Sequence, residues 1–213
     1  WRSDADFTGL GTPRLFFGIS SGNVDSMVNN FTPNLKRRRD DVYSPGGVPK
    51  RPDRAVIVYA NKVRQLYPGI PVVLGGIEAS LRRFAHYDYW QDRVRQGILA
   101  DAPADILAFG MAERQMVEIA RRLSAGDTAR DLRTIRGTAY TMELAEWRST
   151  PPPGIVEIPG FSEVAGNKQA YARAFALHYA EQDPVRGRAV AQPHPKNSHH
   201  PESSRPASGH TGT

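Results

Sequence analysis

Two stretches of the chain bring chemically capable side chains to glycine-marked turns. The first, Gly18-Ile19-Ser20-Ser21-Gly22, fits Gly-x-Ser-x-Gly. In a strand-to-helix turn that pattern exposes a serine nucleophile, provided a histidine takes its proton and a carboxylate orients the histidine. Asp105 and His178 follow in the order such hydrolases use, although His178 falls within a predicted helix. The same five residues also make an ordinary tight turn, with Ser21 or Asn23 capping the next helix. The second stretch is denser. Leu74-Gly-Gly-Ile-Glu-Ala-Ser-Leu-Arg-Arg-Phe-Ala-His-Tyr-Asp-Tyr-Trp90 sets Glu78, Arg82, Arg83, His86 and Asp88 beside Phe84, Tyr87, Tyr89 and Trp90. Acids, bases and donors gathered after two glycines suit a binding edge. The periodicity also fits an amphipathic helix whose aromatics seal a core, with Glu78 and Arg82 at the supportive i, i+4 spacing.

A third cluster is basic. Lys36-Arg37-Arg38-Arg39 lies between Phe31 and Tyr43, a pattern that suits phosphate contacts with base stacking, and so RNA or a nucleotide. The alternative is a solvated loop neutralised by Asp40 and Asp41. His194, His199, His200 and His210 crowd the C-terminal stretch, but histidine in coil defines no metal geometry. No Gly-x-x-x-x-Gly-Lys phosphate loop occurs, and Gly9-x-Gly11 precedes a strand where a dinucleotide fingerprint would follow one. None of the 213 residues is cysteine. That excludes disulfides, thiolate metal sites, iron–sulfur ligation and cysteine nucleophiles within this chain. The net charge of +6 permits nucleic-acid binding, and an arginine-rich composition accounts for it as well. The opening residues form no signal peptide, and no run approaches the ~18 apolar residues of a membrane helix. The expected location is the cytoplasm, with no membrane partner.

The elements that must position these groups follow from the apolar runs and their punctuation. Arg14 to Ser20 reads as a buried strand, and Asn23 as the cap of a short helix through Val28. Residues 31–52, rich in proline and glycine, read as a long loop. Asp53 is the expected N-cap of a helix to Leu66, where Val56, Tyr59, Val63 and Leu66 recur at helical spacing. Pro71 to Gly76 is a β-branched strand suited to burial on both faces. Residues 77–99 read as mostly helical. Ala104 to Gly110 is a third strand and Met111 to Ser124 a helix, with Gly126 just beyond its end. Thr138–Met142 and Ile155–Ile158 are weaker strands, and Asn167–Gln182 is a last helix.

Strands alternating with helices give an α/β fold with a doubly wound, mostly parallel sheet. Ligands of such sheets bind beyond the carboxyl ends of the strands. The expected site is therefore a strand-end crevice built from three segments. Gly18–Asn23 supplies Ser20, Gly22 and Asn23; the second supplies Gly75, Gly76 and Glu78; the third runs from Gly110 to Glu113. The segment from Arg82 to Trp90 walls it, with Arg82, Arg83 and His86 foremost.

The block from Leu74 to Trp90 closely resembles the N-terminal region of the YgiQ-like family of radical S-adenosylmethionine proteins. The resemblance extends over Arg14–Asn29, Asp41-Val-Tyr-Ser-Pro-Gly-Gly47, Phe109-Gly-Met-Ala-Glu-Arg-Gln115 and Ile135-Arg-Gly-Thr138. It implies a cobalamin-binding-like, flavodoxin-like α/β domain placed before a radical-SAM barrel. In that family a Cys-x-x-x-Cys-x-x-Cys loop of the barrel holds a four-iron, four-sulfur cluster, which reduces S-adenosylmethionine to start radical chemistry. None of those cysteines carries over, and the Asp-x-His-x-x-Gly signature of cobalamin binders is also absent. The resemblance thus implies a fragment, inactive alone, with no catalytic residue, metal or cofactor of its own and the radical-SAM core as its partner. It further implies a first strand upstream of Trp1, so that the fold is incomplete at its N-terminus. Residues 1–160 are expected to form the α/β domain and 161–192 a helical connector. Residues 193–213 are expected to be a disordered or out-of-frame tail.

Overall fold

Short apolar runs, each closed by glycine or proline, carry the centre of this molecule. The computed structural model describes residues 3–149, 153–183 and 185–195. In it α1 (Ala5–Thr8) leads to β1 (Phe17–Ile19), α2 (Ser26–Asn30) and α3 (Ala55–Leu66). β2 (Val72–Leu74), α4 (Gly76–Leu81), β3 (His86–Asp88), β4 (Arg93–Arg95) and α5 (Ile98–Asp101) follow. Next come β5 (Ile106–Ala108), α6 (Glu113–Ser124), β6 (Thr138–Ala139) and α7 (Leu144–Ser149). The chain continues with β7 (Val156–Glu157), α8 (Phe161–Gly166), α9 (Lys168–Ala180) and β8 (Val190–Ala191). The tail expected from 193 lies outside the described residues from 196 onward, as do His199, His200 and His210.

The main sheet has the order β1-β2-β5-β6, with the first three strands parallel and β6 antiparallel. This is the expected mostly parallel α/β sheet. Because side chains alternate along a strand, its two faces receive different residues. Val72, Leu74 and Leu107 pack with Val56, Ala60 and Val63 of α3 and with Ile98 of α5. Val73, Ile106 and Ala108 pack with Ile119 of α6 and Leu132 on the other face. Both faces are therefore covered, which is why the strands read as unbroken apolar runs. Among the described residues no helix is long and apolar enough to cross a membrane.

The helical expectation for residues 77–99 is wrong. α4 stops at Leu81, and β3 and β4 then form an antiparallel hairpin with His86 opposite Arg95 and Asp88 opposite Arg93. The reason lies in Asp88, whose carboxylate accepts from the Trp90 and Gln91 amides at 3.0 and 3.1 Å. An aspartate bonding its own downstream backbone stabilises a turn at the expense of helix. This hairpin joins a second layer. Phe84, Ala85 and Val94 pack on Ile158, Val164, Ala170 and Ala174, while β7 and β8 pair in parallel beside them.

Both expected caps near the first two long-range turns are also replaced. Asp25, not Asn23, caps α2, accepting from Met27 at 2.8 Å and Val28 at 3.2 Å. A carboxylate placed at the helix start, within reach of two free amides, outdoes an exposed amide side chain two residues earlier. Asp53 does not cap α3. Arg54 occupies that position with φ +51°, and Asp53 instead accepts from Asn30 and Arg37, each at 2.7 Å. Asn167 does cap α9, accepting from Gln169 and Ala170.

Candidate functional site

The three strand-end segments meet at one edge of the main sheet. The Gly75 amide donates to the Ile19 carbonyl at 2.9 Å. The Ser80 hydroxyl donates to the Gly76 carbonyl at 2.7 Å and accepts from the Gly110 amide at 3.2 Å. Gly76 has φ +78°, and a Cβ there would lie 3.0 Å from the Ser20 Cβ. Only glycine allows the β2–α4 turn to pass so close to the end of β1. Ser20, Gly22, Asn23, Gly76, Gly110 and Glu113 are all exposed on this edge or beside it. Glu113 opens α6, where a carboxylate suits the positive end of the helix.

Glu78 faces the other way. It is 1% exposed, and its two oxygens serve two helices. Oε2 accepts from the Ser26 amide at 2.8 Å and Oε1 from the Val56 amide at 3.1 Å. The Ser26 hydroxyl in turn accepts from the Ala55 amide at 2.9 Å. One carboxylate thus closes the first turns of α2 and α3, whose amides have no intrahelical partner. Arg82 is drawn to the same place, where it pairs with Asp25 and its Nη1 also reaches the Glu78 carbonyl at 3.5 Å. Glu78 and Arg82 therefore hold the crevice in place and do not line it.

Arg83 and His86 lie closer to the surface. The Arg83 guanidinium sits 4.8 Å from the Phe109 ring centre and 5.6 Å from that of Phe84. It donates to the Ser80 carbonyl and meets Nε2 of His178. Burial lowers its pKa from the usual arginine value. Burial, reinforced by the Arg83 charge, holds the His178 imidazole at about 4. Its ring is edge-on to Phe84. His86 is likewise held at about 4, first by burial and then by the charges of Arg82 and Arg95, against the Phe84 carbonyl that favours its cation. Both imidazoles are neutral at pH 7. Asp88 is 4% exposed; burial opposes its ionisation, but the hydrogen bonds and charge of Arg54 leave its pKa below the ordinary value.

No serine-hydrolase triad forms. The Ser20 hydroxyl accepts from the Gly22 amide at 3.2 Å. Asp105 lies at the amino end of β5, bonded to Arg64 at 2.7 Å and the Val72 amide at 2.8 Å. A three-residue strand, about 10 Å long, separates that end from the serine's edge. His178 is engaged by Arg83. The nucleophile, the acid and the base occupy different places.

Among the described residues no group of three or more His, Cys, Asp or Glu side chains could hold a metal ion. With no cysteine in the sequence, these residues do not fit an iron–sulfur cluster. Sequence reasoning missed Asp25, Ser26 and Arg54. Asp25 carried a usable signal, an acidic residue two places before Met27-Val28; the αL backbone of Arg54 left none.

The sequence profile of the Radical SAM N-terminal family matches residues 1–208. A UPF0313 protein of Methanosarcina acetivorans is 50% identical over 92% of this chain and 29% of its own length. UPF0313 proteins of Geobacter sulfurreducens and Clostridium botulinum are 50% and 47% identical over 91% of this chain. Those alignments cover 32% and 30% of the two relatives. The chain spans about a third of the length of the curated relatives it matches. No solved structure matches it.

Proposed function

The chain belongs to the Radical SAM N-terminal family, and from that premise we propose that it is a non-catalytic domain that docks on a radical-SAM core through its strand-end edge. The cluster and S-adenosylmethionine implied by the family are then held by the core, because this chain offers no thiolate. Alone, the domain is inactive. In this reading residues 1–160 are the docking domain, and 161–192 lead toward the core.

The observation that carries this reading is the apolar character of the edge. Ile77, Leu81 and Met111 are 48, 65 and 90% exposed, and all three sit on the segments joined by the Gly76–Ser80–Gly110 hydrogen bonds. Exposed apolar residues gathered at one place mark an interaction surface. This one lies at the ligand-binding end of a parallel sheet. The relatives supply an occupant, since about two-thirds of their length lies outside the matched region.

The test mixes this chain with the remainder of the Methanosarcina acetivorans relative, expressed without its matched segment and reconstituted with iron and sulfide. Complex formation is read by sedimentation and S-adenosylmethionine consumption by chromatography. Wild-type chain should bind, and Ile77→Asp with Met111→Asp should not. Equal binding by the variant removes the edge as the interface. A stoichiometric cluster, absorbing near ~400 nm, on this chain alone would remove the division of labour.

A further inference from the structure

Beside the strand-end edge, on the far side of α2, the basic run Lys36–Arg39 lines a groove of about 670 Å³. That is within the size range of ligand sites. Among the described residues, three of its four cations, Lys36, Arg38 and Arg39, have no ion-pair partner. Asp41 is 1% exposed and turned inward, accepting from the Tyr43 amide at 2.9 Å and the Ser44 hydroxyl at 2.8 Å. Arg37 is spent on structure, paired with Asp53 at 2.7 Å and stacked 4.7 Å from the Phe31 ring centre. Arg38 gives Nε to the Phe31 carbonyl at 3.2 Å. Among the described residues, the side chains of Lys36 and Arg39 and the terminal nitrogens of Arg38 have no partner. Asp40 alone remains to oppose them.

The run is also ordered by its backbone. Thr32 donates to the Lys36 carbonyl at 2.8 Å, Arg38 donates to the Asn30 carbonyl at 2.8 Å, and Phe31 bridges Arg37. Leu35 takes φ +59° to close the turn, and the Tyr89 hydroxyl holds the Pro33 carbonyl at 2.7 Å. A backbone fixed in advance leaves only side-chain freedom to be lost when an anion arrives. Tyr43, 49% exposed, lines the same groove and offers a face on which a base can stack.

We propose that this groove binds single-stranded nucleic acid, with phosphates on Lys36, Arg38 and Arg39 and a base on Tyr43. Spaced cations beside one aromatic face match a repeating phosphate backbone with splayed bases. The assay is fluorescence anisotropy of the full chain with a labelled oligouridylate of about twelve nucleotides. Three phosphate contacts give a slope of about −2 in log K against log salt, or roughly a 20-fold loss between about 50 and about 200 mM. Lys36→Gln with Arg39→Gln should weaken binding at least tenfold at low salt and bring the slope to about −0.7. Its melting temperature should not change, since neither side chain has a partner to lose. Tyr43→Ala should cost at least fivefold and leave the slope unchanged. Wild-type binding by the double variant, or no binding at low salt, overturns the proposal. So does equal binding of a duplex of the same length, or competition by uridine monophosphate at the oligonucleotide's own concentration. None of these outcomes depends on whether the strand-end edge docks on a core.

Discussion

Arg83 presses its guanidinium against Nε2 of His178, and burial, reinforced by that charge, favours the neutral imidazole in α9. The same holds for His86, where burial acts first and the charges of Arg82 and Arg95 add to it. Both are held at about 4 in the folded chain, while an unfolded histidine titrates near 6.5. As pH falls, the unfolded chain takes up these protons first. Stability should therefore be full above about pH 6.5 and decline from there to about pH 4. Full linkage at His86 is worth about 3 kcal/mol. Thermal melts across this window should show the decline in the wild type and a flatter profile in His86→Gln. A wild-type profile with no slope between these limits contradicts the assignment.

The two-helix cap gives a second expectation. Glu78→Ala leaves the buried amides of Ser26 and Val56 without acceptors, each worth about 1–3 kcal/mol. The variant should lose about 3 kcal/mol or more in urea unfolding. Glu78→Gln keeps one acceptor oxygen and should lose less. Equal losses would mean that volume, not hydrogen bonding, is what Glu78 contributes.

A third concerns the ion pair between Asp25 and Arg82, whose side chains are 8 and 13% exposed. Removing one partner strands a buried charge at a cost of about 3–5 kcal/mol. Arg82→Met alone should fall in that range. Adding Asp25→Asn should recover part of the loss, because asparagine still caps α2. A double-mutant cycle with no coupling would show that the pair contributes nothing.

Glycine at the β2–α4 turn supplies the fourth. Gly76→Ala forces a Cβ to within 3.0 Å of Ser20 at a positive φ, and should cost about 1–2 kcal/mol. Gly18→Ala meets only the Phe16 ring at 3.8 Å and should be close to neutral. Urea unfolding of both variants makes the comparison; similar losses would place the constraint elsewhere.

What could be read in the sequence was whatever repeats locally. The three parallel strands show as apolar runs because both faces of the sheet are covered. α6 and α9 show because their faces repeat at helical spacing. The segment 82–99 misled because Arg, Phe, Tyr and Trp at mixed intervals fit a helix by period. The hairpin instead depends on one aspartate bonding its own backbone. The meeting of Ser20, Gly76 and Gly110 followed from parallel topology. The inward turn of Glu78 did not, because its partners lie 52 and 22 residues away, and no local pattern encodes them. The burial of Asp41, which removes one counter-charge from the basic run, was hidden for the same reason.

The placement of Glu78 also sets a point along synthesis. While the chain emerges from a ribosome, α2 and α3 come out before the residue that finishes their first turns, and β1 before the strand it pairs with. Short isolated helices are marginal in water. α2 and α3 are therefore expected to be weakly formed until residues 72–82 appear. Within that interval the second strand, the glycine turn, the Glu78 carboxylate and the partner of Asp25 are delivered together. A pause in translation just before this interval would prolong the exposure of Val56, Ala60 and Val63, whose cover begins with Val72 and Leu74 and is completed only by Ile98 and Leu107.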